Sequence, residues 1–148
     1  MNAERHPVAM EDTKVAIIRR YFAELFNEGR VQLIPELLHP QYVNHSPGSP
    51  DLPRGRDGVA LVVQALRRGL PDLHYDIDEM VVGEDAVAVR ATLTGTHDGD
   101  LFGMAPTGKR LEVKQMTFER FLDGRIVAHH RLTDELSMLR QLGVLPTA

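Results

Sequence analysis

The chain has 148 residues, 43% of them hydrophobic and 26% charged, with no cysteine and no tryptophan. That length suits one domain around one core, and the composition is globular rather than disordered, collagenous or disulfide-stapled. Seventeen Lys and Arg against 21 Asp and Glu leave a net charge of −4, which argues against a nucleic-acid surface, while the lack of thiols excludes cysteine nucleophiles, thiolate metal sites and disulfides.

No run approaches the roughly 20 apolar residues of a membrane span, and the first seven residues lack the apolar core of a signal peptide. The expectation is a single domain over 1–148, located in the cytoplasm, with residues 1–10 as a loose arm. From Asp12 to Asn27, Val15, Ile18, Tyr21, Phe22, Leu25 and Phe26 recur at helical spacing, with Asp12 or Thr13 as cap and Gly29 just past the end. A shorter helix over Val31–Leu38 accommodates Pro35 in its first turn, and Pro40 stops it. Three prolines and two glycines make Ser46–Arg56 a loop. Asp57 then reads as the N-cap of a third helix carrying Val59, Val62, Val63, Leu66 and Leu70 on one side.

The period next changes to two. His74–Val82, Ala86–His97, Arg110–Leu122 and Arg125–Leu132 read as strands. Gly83-Glu84-Asp85 and Asp123-Gly124 supply hairpin turns, and Asp98–Lys109, with three glycines and Pro106, is a loop. A last short helix runs over Asp134–Leu142, followed by Gly143 at its C′ position. Helices followed by a meander predict an α+β fold. On the Arg110–Leu122 strand, Leu111, Val113, Gln115, Thr117, Glu119 and Phe121 share one face. On the last strand Val127, His129 and Arg131 share a face, opposite Ala128, His130 and Leu132. Neither sheet face is purely polar, so helices are expected on one and a second subunit on the other, giving a homodimer.

Several segments together resemble the SnoaL-like polyketide cyclases, within the superfamily typified by nuclear transport factor two. They are Phe26-Asn27-Glu28-Gly29-Arg30 with His39-Pro40-Gln41-Tyr42-Val43-Asn44-His45; Gly95-Thr96-His97 with Gly103-Met104-Ala105-Pro106-Thr107-Gly108-Lys109; and Asp123-Gly124-Arg125-Ile126-Val127 with His129, Asp134 and Leu139-Arg140-Gln141-Leu142-Gly143. The resemblance implies a cone-shaped, curved antiparallel or mixed sheet wrapped around the N-terminal helices, with a deep apolar pocket and a short C-terminal helix. It also implies intramolecular aldol closure of a polyketide methyl ester with neither cofactor nor metal, an aspartate acting as base. In a typical member the last strand reads His, then an aromatic residue or Arg, then Asp. Here Arg131 holds that aspartate's place, two residues beyond His129, and a guanidinium accepts no proton at working pH.

His129 is a candidate acid/base, or else a histidine hydrogen-bonded under the last helix. Arg131 reads as a clamp for a carboxylate or enolate, or as the ion-pair partner of Asp134, Glu119 or Asp98. Asp134 reads as a second base or as a helix cap. By resemblance Asn44 and His45 line the pocket; the other account is a loop-anchoring pair. Gln115 and Thr117 are candidates for binding a substrate carbonyl or for a structural polar network. Met104, in a loop, is a candidate lid residue, and His97 a turn residue. His129 and His130 point to opposite faces, and no histidine pair has metal-ligand spacing. The expected function is cofactor-independent cyclisation or isomerisation of a hydrophobic, polyketide-like small molecule, with no nucleic-acid or membrane partner. The alternatives are a hydrolase or hydroxylase in the same pocket, or a non-catalytic small-molecule-binding domain.

Overall fold

The computed structural model describes residues 12–146; the expected N-terminal arm lies outside them. Helix α1, Thr13–Arg20, starts at Asp12, whose carboxylate accepts from the Lys14 amide at 2.8 Å, the capping contact that satisfies an orphan helix donor. The chain then widens into π-helical winding over Tyr21–Phe26, where the Asn27 amide reaches back to the Phe22 carbonyl at 3.0 Å. Such winding often marks functional sites. Here it turns Tyr21, Phe22, Leu25 and Phe26 inward together. Gly29, at φ +72°, ends the helix, and Arg67 donates to the Phe26 and Asn27 carbonyls left open there, at 3.1 and 2.5 Å.

After a 3₁₀ turn at Val31–Leu33, helix α2 is only Ile34–Leu37, and Leu38–Asn44 forms strand β1. The expected helix through Leu38 is therefore cut short, and its continuation is a strand missing from the sequence reading. The reason is local. Pro40 forces the residue before it towards extended backbone and has no N–H to donate, which an edge strand tolerates. β1 is such an edge, paired in parallel with strand β5, Arg125–Thr133.

Helix α3, Arg56–Gly69, begins after Gly55, so Asp57 lies in the first turn rather than at the cap. Strands β2, His74–Val82, β3, Ala86–Thr96, and β4, Arg110–Leu122, follow. The sheet order is β1-β5-β4-β3-β2, antiparallel except for the β1–β5 pair. Helix α4, Glu135–Gln141, closes the described chain and is tied to β4 by two bonds between Gln141 and the Glu112 backbone, at 2.8 and 2.9 Å.

The inner sheet face, the π-helical segment and α3 bury one core containing Ile18, Leu25, Leu38, Val63, Val87, Val113 and Ile126. The fold is the α+β cone, with a five-stranded mixed sheet around the N-terminal helices. No helix among the described residues is long and apolar enough to cross a membrane.

One irregularity positions the site. The Asp123-Gly124 hairpin, with φ +52° and +76°, pairs Leu122 with Arg125 and Phe121 with Ile126. The register then slips by one residue, so that Arg120 faces Ala128 and Glu119 faces His129. An extra residue in one strand reverses which side chains face inward beyond it. Ile126 is buried before the bulge and His129 after it, while His130 and Leu132 are exposed. The inward set on β5 is thus Ile126, His129, Arg131 and Thr133, rather than a simple alternation through Val127.

Candidate active site

The open end of the cone holds a cavity of about 290 Å³. Its wall is mainly apolar: Phe22 and Phe26 from the π-helical segment, Val62 and Leu66 from α3, Leu93 and Leu111 from the sheet, and Leu101, Phe102 and Met104 from the loop before β4. That loop is pinned at its root. The Gly99 amide donates to the Gly69 carbonyl at 3.2 Å, and His97, fully buried, binds Thr107 across the loop at 3.0 Å. The position read as a simple turn residue is therefore a buried anchor.

Polar groups enter from the β4–β5 ladder, where register pairs Gln115 with Thr133, Thr117 with Arg131, and Glu119 with His129. Gln115 Nε2 donates to Thr133 Oγ1 at 3.1 Å. Thr117 Oγ1 is buried and has no hydrogen-bond partner among the described residues. Deepest is the pair between His129 Nδ1 and Glu119 Oε1, 2.5 Å apart, with Glu119 fully buried and His129 3% exposed. A carboxylate out of water needs such a partner. With Glu119 ionised, Nδ1 carries the proton and donates to Oε1, leaving Nε2 of a cavity-lining imidazole to accept from a ligand.

Arg131 also lines the cavity. Its Nη2 donates to the Ser46 carbonyl at 2.9 Å, and its amide donates to Ser46 Oγ at 2.8 Å. Among the described residues it forms no ion pair with Asp134, Glu119 or Asp98, the three partners considered from sequence. Asp134 stands outside the cavity wall, accepting from the Ser137 amide at 3.1 Å at the start of α4. Asn44 and His45 are likewise not lining residues: Asn44 Oδ1 accepts from the Ser46 amide at 2.8 Å, and His45 stacks on His130, with ring centroids 4.5 Å apart. Gln115, Thr117, Met104, His129 and Arg131 do meet at the cavity. From sequence Tyr21 reads only as an apolar candidate for core or pocket wall, Glu119 only as a candidate ion-pair partner of Arg131, and Tyr75 carries no site signal. For Glu119 the available signal was an acid on an otherwise inward-reading face. Among the described residues no three His, Asp or Glu side chains gather as a metal ion requires.

The phenols complete the electrostatics. Burial pushes Tyr75 up to about 12, against the opposing pull of the Arg131 charge and a bond with Gln115. Burial also holds Tyr21 well above the usual phenol range, and Tyr42 too, the Glu119 charge adding to both. Tyr21 and Tyr75 therefore remain O–H donors at any working pH. A folded-state pKa above the unfolded value gives stability that is complete below about pH 10 and lost as pH climbs through the folded pKa. All three tyrosines of the chain are affected, so tyrosinate absorbance at 295 nm is expected to stay low near pH 10 and to rise only together with loss of the far-UV signal. Half-ionisation near pH 10 with the fold intact would contradict this burial.

The family model for SnoaL-like polyketide cyclase matches residues 16–142. The chain belongs to the SnoaL-like polyketide cyclase family. Among curated relatives, it is 34% identical over 137 residues to the aklanonic acid methyl ester cyclase DnrD of Streptomyces peucetius, covering 88% of this chain and 91% of that protein. Among solved structures it is similar to TsrD from Streptomyces laurentii, with TM-score 0.82 and 27% identity over 90% of this chain and 96% of that one. It is also similar to AclR, described as a putative hydroxylase, from Streptomyces galilaeus, with TM-score 0.77 and 27% identity over 91% and 83% of the two chains. Within this SnoaL-like chain the inward ladder offers a histidine–glutamate pair, with arginine where the resemblance places an aspartate.

Proposed function

We propose that this SnoaL-like chain is a cofactor-independent cyclase whose base is His129, oriented by Glu119, acting on a hydrophobic polyketide-derived molecule. The buried 2.5 Å contact between the two side chains, opening on an apolar cavity, carries this reading. Nε2 of His129 takes a proton from a carbon beside a carbonyl, and the C–H electron pair moves into an enolate. The enolate carbon attacks a ketone of the same molecule, forming the C–C bond, and the imidazolium returns its proton to the new alkoxide, so product and substrate have equal mass. Glu119 fixes the productive tautomer and steadies the imidazolium. Tyr21, its ring centroid 6.4 Å from that of His129, and Tyr75 supply neutral donors for the developing oxyanion. Gln115 hydrogen-bonds a substrate carbonyl, and Met104 covers the bound rings.

Incubation with a panel of polyketide carboxylic acids, their methyl esters and epoxides, read by mass spectrometry against an enzyme-free blank, tests the reaction class. A product of unchanged mass and new retention time is expected. Gain of an oxygen atom or of water would favour a hydroxylase or hydrolase instead, the second reading that the likeness to AclR supports.

The outer sheet face supports a homodimer. Met116, Phe118 and Leu132 lie there on neighbouring strands, 61%, 39% and 79% exposed, with Met116 directly opposite Leu132. Contiguous exposed apolar groups of this kind mark association surfaces. Light scattering is expected to give twice the 16.6 kDa of one chain, and Leu132→Glu to return it to the single-chain mass. A wild-type monomer at tens of micromolar would refute the dimer.

A further inference from the structure

Reading the cavity as the substrate site, as proposed above, we infer that Arg131 and Thr117 form a subsite for a carboxylate, so that this chain takes a free carboxylic acid rather than its methyl ester. Four observations converge on these two side chains. Arg131 borders the cavity, and its guanidinium is aimed by the Ser46 carbonyl at 2.9 Å, which uses one of five N–H donors. Outside the cavity Arg56, Arg67 and Arg125 bond backbone carbonyls, and other arginines are paired with acids: Arg20 with Glu24 and Glu36, Arg30 with Glu24 and Glu28, Arg120 with Asp85. Arg131 has no such partner among the described residues, although the cavity around it is largely apolar. Thr117 sits directly opposite on the neighbouring strand, its hydroxyl buried with no partner among the described residues.

A positive charge beside an apolar cavity with an unspent hydroxyl next to it is complementary to a planar anion. A carboxylate takes two parallel bonds from a guanidinium and a third from the hydroxyl. A methyl ester keeps one carbonyl acceptor but loses the charge and the second good acceptor, and it leaves the guanidinium desolvated without compensation. The charge already acts inside the cavity, where it opposes the rise of the Tyr21 and Tyr75 pKa values. Two acids need placing. Glu119 bonds His129 through Oε1 one step along the same face, while its Oε2 is buried with no partner among the described residues, and Glu135 is exposed at the cavity rim, where solvent screens it. Gly48 lines the cavity beside the guanidinium, where an added Cβ would stand 3.9 Å from Nη2, in ordinary contact.

Isothermal titration with 2-naphthoate, methyl 2-naphthoate and 2-naphthamide tests this without any need for turnover. The acid is expected to bind about ten- to hundredfold more tightly than the ester or the amide, the range of a charge-assisted bidentate contact. Arg131→Met is expected to erase that preference while retaining ester binding, Arg131→Lys to keep part of it, and Thr117→Val to reduce it several-fold. His129→Asn separates the two readings: it is expected to abolish cyclisation yet leave the acid-to-ester ratio as in the wild type. Equal or tighter binding of the ester by the wild type, or a preference for the acid that survives Arg131→Met, would overturn the carboxylate subsite and leave the His129–Glu119 reading standing.

Discussion

Replacing Glu119 by glutamine is expected to lower the turnover number by about 10²–10⁴-fold while the protein still folds and binds ligand. The substitution keeps the volume of a fully buried side chain and exchanges a carboxylate for a neutral amide, which removes a buried charge at no steric cost. The chemistry is altered more than the packing. A carboxylate at 2.5 Å from Nδ1 accepts only, so it holds the imidazole proton on Nδ1 and leaves Nε2 basic. An amide that turns its NH₂ towards Nδ1 places the proton on Nε2 instead, and the base is lost. Imidazole ¹⁵N spectra at neutral pH should show the proton on Nδ1 in the wild type and on Nε2 in Glu119→Gln. Truncation to alanine is a harsher change, because it leaves a cavity and strips the buried Nδ1–H of its acceptor, and about 2–5 kcal/mol of stability should go with it. Wild-type turnover by Glu119→Gln would remove the dyad from the mechanism.

A large, purely structural effect is expected from Gly99→Ala. A Cβ at Gly99 would stand 2.0 Å from the Arg68 carbonyl oxygen and 2.9 Å from its carbon, both backbone atoms of α3 that no side-chain rotation relieves. The contact lies where the loop before β4 docks on the helix end through the Gly99–Gly69 hydrogen bond. The loop must lift, taking Leu101 out of the core and Phe102 and Met104 off the cavity wall. A loss of about 2–4 kcal/mol follows, or about 5–15 °C in melting temperature for a domain of this size, with weaker binding of any cavity ligand. Gly103→Ala is the control. It has positive φ, +88°, but nothing within 4 Å of the added atom, so only the backbone strain of about 1 kcal/mol should appear. Equal melting temperatures for the two variants would show that the loop root is not held as described.

Much of this architecture was legible because it depends on local periodicity. Alternating residues over His74–Val82, Ala86–His97 and Arg110–Leu122 mark strands, and helical spacing from Val15 to Phe26 and from Val59 to Leu70 marks helices. Asp12 and Asp134 are caps by their chemistry. Strand β1 was not legible, since Leu38–Asn44 has the pattern of neither element; it is a strand because the β5 edge offers it partners. Asn44 and His45 show the same limit, because adjacency to a loop does not say which way the loop folds. Asn44 turns to the Ser46 amide and His45 to the His130 ring, both away from the cavity wall.

By itself, then, the sequence determined the element types and their order apart from β1 and the π-helical segment, the α+β class and the resemblance to the SnoaL-like cyclases, all of which rest on side-chain pattern within short windows. Only the tertiary structure decided that Glu119 meets His129 rather than Arg131. That pairing depends on the single-residue slip between the Asp123-Gly124 hairpin and Glu119. An unbroken hairpin would set Ala128 opposite Glu119, and His129 and Arg131 would face outward. A bulge of one residue leaves no periodic trace, because its energy lies in packing on both faces of the sheet, yet it turns a histidine and an arginine into the wall of a cavity.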